Sequence, residues 1–106
     1  MNKETIKDFI LKHLVERKAS NINCLPLDGK VSIADYMIFA SGSSVKNIRS
    51  IAEYVSLELK HTMNWNANVE GLKGSEWILL DAGNVILHLF HPEEREKLKL
   101  EEFWQN

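Results

Sequence analysis

The sequence predicts a single α/β domain with a mixed sheet of about five strands flanked by helices. Two long stretches carry apolar residues at a spacing near 3.6, and several short apolar runs bounded by turn signals lie between and after them. No repeat, low-complexity tract or linker interrupts the resulting α-β-β-α-β-β-β-α order.

Ile6, Phe9, Ile10, His13 and Leu14 fall at helical spacing, and Leu11 and Val15 widen the stripe, which predicts a helix over residues 3 to 18. "NINCLPL" (21–27) reads as a short strand. Pro26 lacks the N–H that a ladder needs, so this strand belongs at an edge or ends there. "DGK" (28–30) signals a turn. "YMIFA" (36–40) is apolar without alternation, as expected of a central strand covered on both faces. Ser41-Gly42-Ser43-Ser44 then opens a helix running to about Met63, with Ser43 or Ser44 as its cap. Val45, Ile48, Ala52, Val55 and Leu59 form the inward stripe, while Lys46, Arg49, Glu53 and Lys60 face water.

"WNANVEG" (65–71) predicts another short strand ending at Gly71, followed by the loop "LKGS" (72–75). Strands over 77–82 and 85–90 are joined by Gly83-Asn84, a pair suited to a II′-type hairpin turn. Pro92 at a first helical position, with Glu93 and Glu94 in the first turn, starts a short C-terminal helix ending near Trp104.

A chain of 106 residues buries roughly two-thirds of its unfolded surface, enough for one core. Apolar content of 44% with 26% charged residues excludes intrinsic disorder. A net charge of −2 with basic residues scattered along the chain argues against broad nucleic-acid binding. The amino terminus has acidic residues and helical periodicity, unlike a signal peptide or a membrane span. Cys24 is the one cysteine, which fits a reducing compartment and a half-buried place in a strand.

Several residues suggest chemistry. A strand ending in Gly-Ser before a helix is similar to the start of the nucleotidyltransferase signature, which continues with two carboxylates flanking an apolar residue. Here that region reads Glu53-Tyr54-Val55, and one carboxylate on a wet helix face cannot hold the catalytic metal. Neither dinucleotide nor P-loop glycine patterns occur. His88 and His91, three apart on a strand, point to opposite faces, so a packed His88 and a capping His91 are expected in place of a metal pair. Asp81 and His88 lack a convincing nucleophile, since Ser41, Ser43 and Ser44 are accounted for as caps.

A two-residue turn at 83 and 84 fixes parity in the hairpin. Trp77, Leu79, Asp81, Ile86, His88 and Phe90 share one face, and Ile78, Leu80, Ala82, Val85, Leu87 and Leu89 share the other. The aliphatic set fits a floor beneath helices. The mixed aromatic and polar set fits either a recognition surface or a second small core under the C-terminal helix.

"SIADYMIFASGSSVKNIRSIAEYV", "VEGLKGSEWILLDAGNVILHLFHPEEREKL" and "LEEFW" together resemble the ribosomal silencing factor family, RsfS or Iojap, from about Ile6 to Trp104. The specific blocks are Ala34-Asp35-Tyr36, Ala40-Ser41-Gly42, Arg49 to Ala52, Glu70-Gly71, Trp77 to Asp81, Val85 to His88, and Pro92 with Arg95. The resemblance implies a nucleotidyltransferase-like fold without the catalytic carboxylates. It also implies a cytoplasmic, non-enzymatic translation repressor with no cofactor, which binds the large ribosomal subunit through the ribosomal protein numbered fourteen and blocks joining of the small subunit. No direct sequence-specific nucleic-acid contact or membrane contact is expected, and the resemblance permits a homodimer.

The expected contact residues are Trp77, Leu79, His88 and Phe90, with Arg95, Leu98 and Leu100 near the C-terminal helix. Asn84, Val45, Lys46 and Lys97-Leu98 depart from the family pattern, and Leu98 replaces a common aromatic. The rival reading is a residual nucleotide-binding domain using Ser41 to Ser44.

Overall fold

The computed structural model describes residues 2–27, 33–71 and 75–105. The turn expected at 28–30 and residues 72–74 of the expected loop lie outside these. Helix α1 spans Lys3–Glu16 and is capped by Asn2, whose side chain accepts from the Glu4 amide. Strand β1 (Ser20–Pro26) and strand β2 (Tyr36–Ser41) follow, then helix α2 (Val45–Met63). Strands β3 (Asn68–Glu70), β4 (Trp77–Asp81) and β5 (Val85–Phe90) precede two short helices, α3 (Pro92–Leu98) and α4 (Leu100–Gln105).

The order in the sheet is β1-β2-β5-β4-β3. β2 and β5 run parallel, and the other pairs are antiparallel. Pro26 ends β1 on the sheet edge, where its missing N–H is harmless. β2 is interior, with Met37 to Ser41 all buried, and β5 holds the middle of the sheet.

α1 and α2 pack on one face, the back. There Ile6, Ile10 and Leu14 meet Ile48, Ile51, Val55 and Leu59 over a floor of Ile38, Ala40, Ile78, Leu80, Ala82, Val85, Leu87 and Leu89. The floor contains the whole aliphatic set of the hairpin, as parity requires. Val15, expected to widen the α1 stripe, is 65% exposed because its position turns away from α2.

Local chemistry explains the boundaries. Ser44 caps α2 by accepting from the Asn47 amide at 3.0 Å, and Asn47 returns the favour by accepting from the Ser43 amide at 2.9 Å. A Cβ on Gly42 would collide with the Ile48 side chain, so the Gly of the Gly-Ser step serves the close strand-to-helix approach. Asn64 in the left-handed region ends α2 and directs Trp65 back, so that the indole N–H donates to the Ala82 carbonyl at 2.8 Å. That turn shortens the expected strand over 65–71 to Asn68–Glu70.

Gly83 turns the hairpin with φ of 88°, and the Ala82 amide donates to the Val85 carbonyl at 2.9 Å. One expectation fails at the C-terminus, where two helices replace one. Lys99 adopts a left-handed φ of 50° and caps α3, so the chain bends before Leu100.

Candidate docking face

The other sheet face, the front, has no long helix on it. Its residues follow from the register in three rows: Ser41, Phe90 and Trp77; Asn23, Phe39, His88, Leu79 and Glu70; and Leu25, Met37, Ile86, Asp81 and Asn68. Leu27, Met37, Phe39 and Phe90 form a second small core there, against which Trp77, Ile86, Leu100 and Trp104 pack. α4 therefore covers one end of the front face and leaves the β4 side open. The second-core reading holds for the part under α4, and the part beside β4 stays uncovered.

Aromatic rings organise the covered part. Phe39 and His88 stack at 4.9 Å between centroids, Trp77 and Phe90 lie 5.6 Å apart, and Phe39 and Phe90 are nearly parallel at 6°. The Trp77 indole N–H donates to His88 Nδ1 at 3.1 Å, which leaves the proton of the neutral ring on Nε2. His88 is 4% exposed, and its Nε2 has no hydrogen-bond partner among the described residues. Burial pushes its pKa down to about 4, so the ring is neutral at pH 7. The pair holds the indole in one orientation, with the half-buried ring at the edge of the open region.

The C-terminal helices are fastened by a polar clamp. Arg95 donates twice to Glu101, at 2.6 and 2.9 Å, and once to Ser41 Oγ at 2.8 Å; Asn23 donates to Glu101 at 2.8 Å. The Arg95 guanidinium holds the Glu101 carboxyl below the usual carboxylate range. Ser41 thus anchors Arg95 and is not a helix cap.

The seven expected contact residues do not form one surface. Phe90 is 1% exposed and His88 nearly as buried, Leu100 packs against the front core, and the Arg95 side chain is occupied in the clamp. Trp77 and Leu79 remain half-buried beside a hollow of about 260 Å³ that Glu70 and Gly71 also line, and Leu98 is 39% exposed. Sequence reasoning overlooked Phe39, Met37 and Trp104. Alternation in β2 was the available signal for the first two, because Met37 and Phe39 occupy the opposite parity from Ile38 and Ala40.

The catalytic-looking residues have structural partners. Asp81 Oδ1 accepts from the Gly83 amide at 2.9 Å and steadies the hairpin. His91 caps α3 by accepting from the Glu93 amide at 3.4 Å. Glu53 is exposed and lies 3.8 Å from Arg49, whereas Val55, at the second acid position, is wholly buried. No group of three His, Cys, Asp or Glu among the described residues is placed to hold a metal ion. Cys24 is half-buried against the core in β1, and burial pushes its thiol pKa up.

A sequence model of the family described as "Ribosomal silencing factor during starvation" matches residues 2–106. The chain belongs to the ribosomal silencing factor (RsfS) family. It is 39% identical over 101 residues to the ribosomal silencing factor RsfS of Zymomonas mobilis, covering 95% of this chain and 76% of that one. It is 29% identical to the Bacillus subtilis RsfS, covering 98% and 88%. A mouse protein named mitochondrial assembly of ribosomal large subunit protein 1 is 26% identical, and the match spans 92% of this chain and 44% of the mouse one.

A crystal structure of a Chromobacterium violaceum protein superposes with a TM-score of 0.94 at 28% identity, covering 100% of this chain and 88% of that one. A Bacillus halodurans structure gives 0.82 at 27% identity, covering 97% and 95%. The RsfS fold is thus a five-stranded mixed sheet with helices on its back and a partly covered aromatic front. Among the described residues no helix is long and apolar enough to cross a membrane.

Proposed function

We propose that this chain binds the large ribosomal subunit through the ribosomal protein numbered fourteen and blocks joining of the small subunit by occupying the space between them. One observation carries the reading. The front face keeps large apolar groups, Trp77, Leu79 and Ile86, half-buried at the sheet surface with no helix over the β4 side. Such groups beside polar neighbours make an anchor for a protein partner. Phe90 and His88 act from beneath by fixing Trp77, Leu100 and Arg95 hold the cover in place, and Leu98 contributes from its rim. Membership in a family named for ribosome silencing supports the choice of partner. The mechanism is occlusion, so it needs neither a catalytic group nor a cofactor, and it operates in the cytoplasm.

Sedimentation with isolated large subunits, followed by addition of small subunits, tests it. Bound protein at the position of free large subunits, with couples absent at saturation, is expected; couples forming normally would sink the reading. Trp77→Ala should weaken large-subunit binding by more than about 1 kcal/mol while leaving the domain folded. A second reading, nucleotide binding at Ser41 to Ser44, has less support because Ser41 and Ser44 are engaged by Arg95 and Asn47.

A further inference from the structure

Away from the front face, the end of the domain where α1 stops and α2 starts collects cations that the sequence scatters. α1 and α2 run antiparallel there: His13 lies 3.9 Å from Glu58, and one turn further along α1 the Arg17 guanidinium donates to Ser50 Oγ at 3.1 Å. Arg17 also lies over the Tyr54 ring at 4.5 Å. Lys18 follows it, exposed and in the left-handed region at φ 60°. Lys46 and Arg49, with Ser50, Glu53 and Tyr54, line a shallow hollow of about 320 Å³ on the outer side of α2.

The charges here do not cancel. Arg17, Lys18, Lys46 and Arg49 have Glu16, Glu53 and, past the Tyr54 ring, Glu58 as neighbouring carboxylates, four cations against three anions. Among the described residues neither Arg17, Lys18 nor Lys46 has a carboxylate within 4.0 Å, and the contact of Arg49 with Glu53 is a long one, 3.8 Å, between exposed side chains. Such a pair is weakly held, so Arg49 can turn from Glu53 to another anion. The segments that meet at this end, 17–20 and 41–52, contain no Asp or Glu, and Glu16 and Glu53 bound them. The amino-terminal end of the long helix α2 adds its own partial positive charge to the same place. Five further glutamates lie in 93–102; Glu96, Glu101 and Glu102 share a hollow with Ser41, Arg95 and Lys99 beside this end, and Glu101 is bound by Arg95.

We infer that this end is a second contact surface, which takes the phosphate backbone of an RNA strand. The cations are spread over two helices and do not converge on one point, which suits repeated charges better than a single phosphate. Two of them are guanidiniums, whose forked N–H groups match phosphate oxygens. The Tyr54 ring face is already occupied by Arg17, so the surface reads backbone and not bases. The site lies on the helical side of the domain, so a protein on the front face and RNA on this end can be held together. It does not depend on which protein the front face takes.

The test measures binding of the full chain to a labelled single-stranded oligoribonucleotide of about 20 nucleotides, by anisotropy, between about 50 and 200 mM salt. Four contacts predict a slope of log affinity against log salt of about −3. Lys46→Glu with Arg49→Glu should weaken binding at least about tenfold at low salt and flatten the slope by about half. Both side chains are exposed, and thermal unfolding verifies that the fold is kept. Lys46→Gln with Arg49→Gln should fall between. Lys60→Glu with Lys97→Glu makes the same change in net charge elsewhere and should leave binding near the original value. Absence of binding at the lowest salt, or equal losses in the two charge-reversed pairs, overturns the inference. So does displacement of the RNA by polyglutamate at equal charge, since that outcome identifies an acidic protein surface as the ligand.

Discussion

The two faces of the sheet are made by the same strands from alternate residues, yet they are built to different standards. The back face is sealed by α1 and α2, and its floor residues from Ile78 to Leu89 are fully buried. The front face has only the six-residue α4 over one end, held by the Arg95–Glu101 clamp and by Leu100 and Trp104. A helix of that length is not stable alone. The difference teaches that one side of this domain is closed by long helices and the other is left half-finished, with apolar area uncovered beside β4.

Substitutions of neighbours in one strand should separate the two roles most sharply. Leu80→Ala on the back should cost about 2–5 kcal/mol of unfolding free energy, the range for a cavity in a closed core. Leu79→Ala, one residue away on the open front, should cost less than about 1 kcal/mol. Denaturant unfolding of the two variants checks this, and equal losses would break the comparison.

Protonation probes the covered part of the front. The folded His88 pKa of about 4 lies below the ordinary 6.5, so the unfolded chain binds the proton more tightly. Stability should therefore fall as the pH drops from about 6.5 to about 4, by about 3 kcal/mol in total from this group. Glu101 adds loss of the same sign, because its carboxyl is held below its ordinary range and must be protonated against the clamp. An imidazole titration by NMR isolates His88; a midpoint near 6.5 would show that the front face admits water to the ring.

A smaller effect is expected from the clamp. Arg95→Ala removes three donated bonds and leaves Glu101 with Asn23, at a cost of roughly 1–2 kcal/mol. The loss should be local. Hydrogen exchange should quicken in α4 and around Trp104 while the amides of β2 and β5 keep their protection. Faster exchange throughout would mean that the cover is integral to the core.

Much of this was legible beforehand because it depends on short-range rules. Period-two parity sorted the hairpin into its two faces, Gly83-Asn84 fixed the turn, Ser44 was one of the two serines expected to cap α2, and Pro92 started α3. The candidate site was legible only in part. Trp77 and Leu79 are half-buried on the front face as expected from parity, but Phe90 and His88 share that face and are buried. Parity says which way a side chain points and nothing about what is laid over it.

The sequence by itself determined the domain class, the strand faces, the starts of α1, α2 and α3, the missing carboxylate partner of Glu53 and membership in a ribosomal silencing family. Tertiary structure alone decided three further matters. Lys99 in the left-handed region folds α4 back over Phe39 and Phe90, so that part of the face expected to be a recognition surface becomes core. Arg95 meets Ser41 across 54 positions of chain and turns from a contact residue into a clasp. Arg17 comes beside Ser50 and Tyr54, on the stretch of α2 that carries Lys46 and Arg49, and so joins cations from two distant segments. In each case the deciding contact joins residues whose separation along the chain carries no periodic signal. Closure of the fold is the physical step that brings them together.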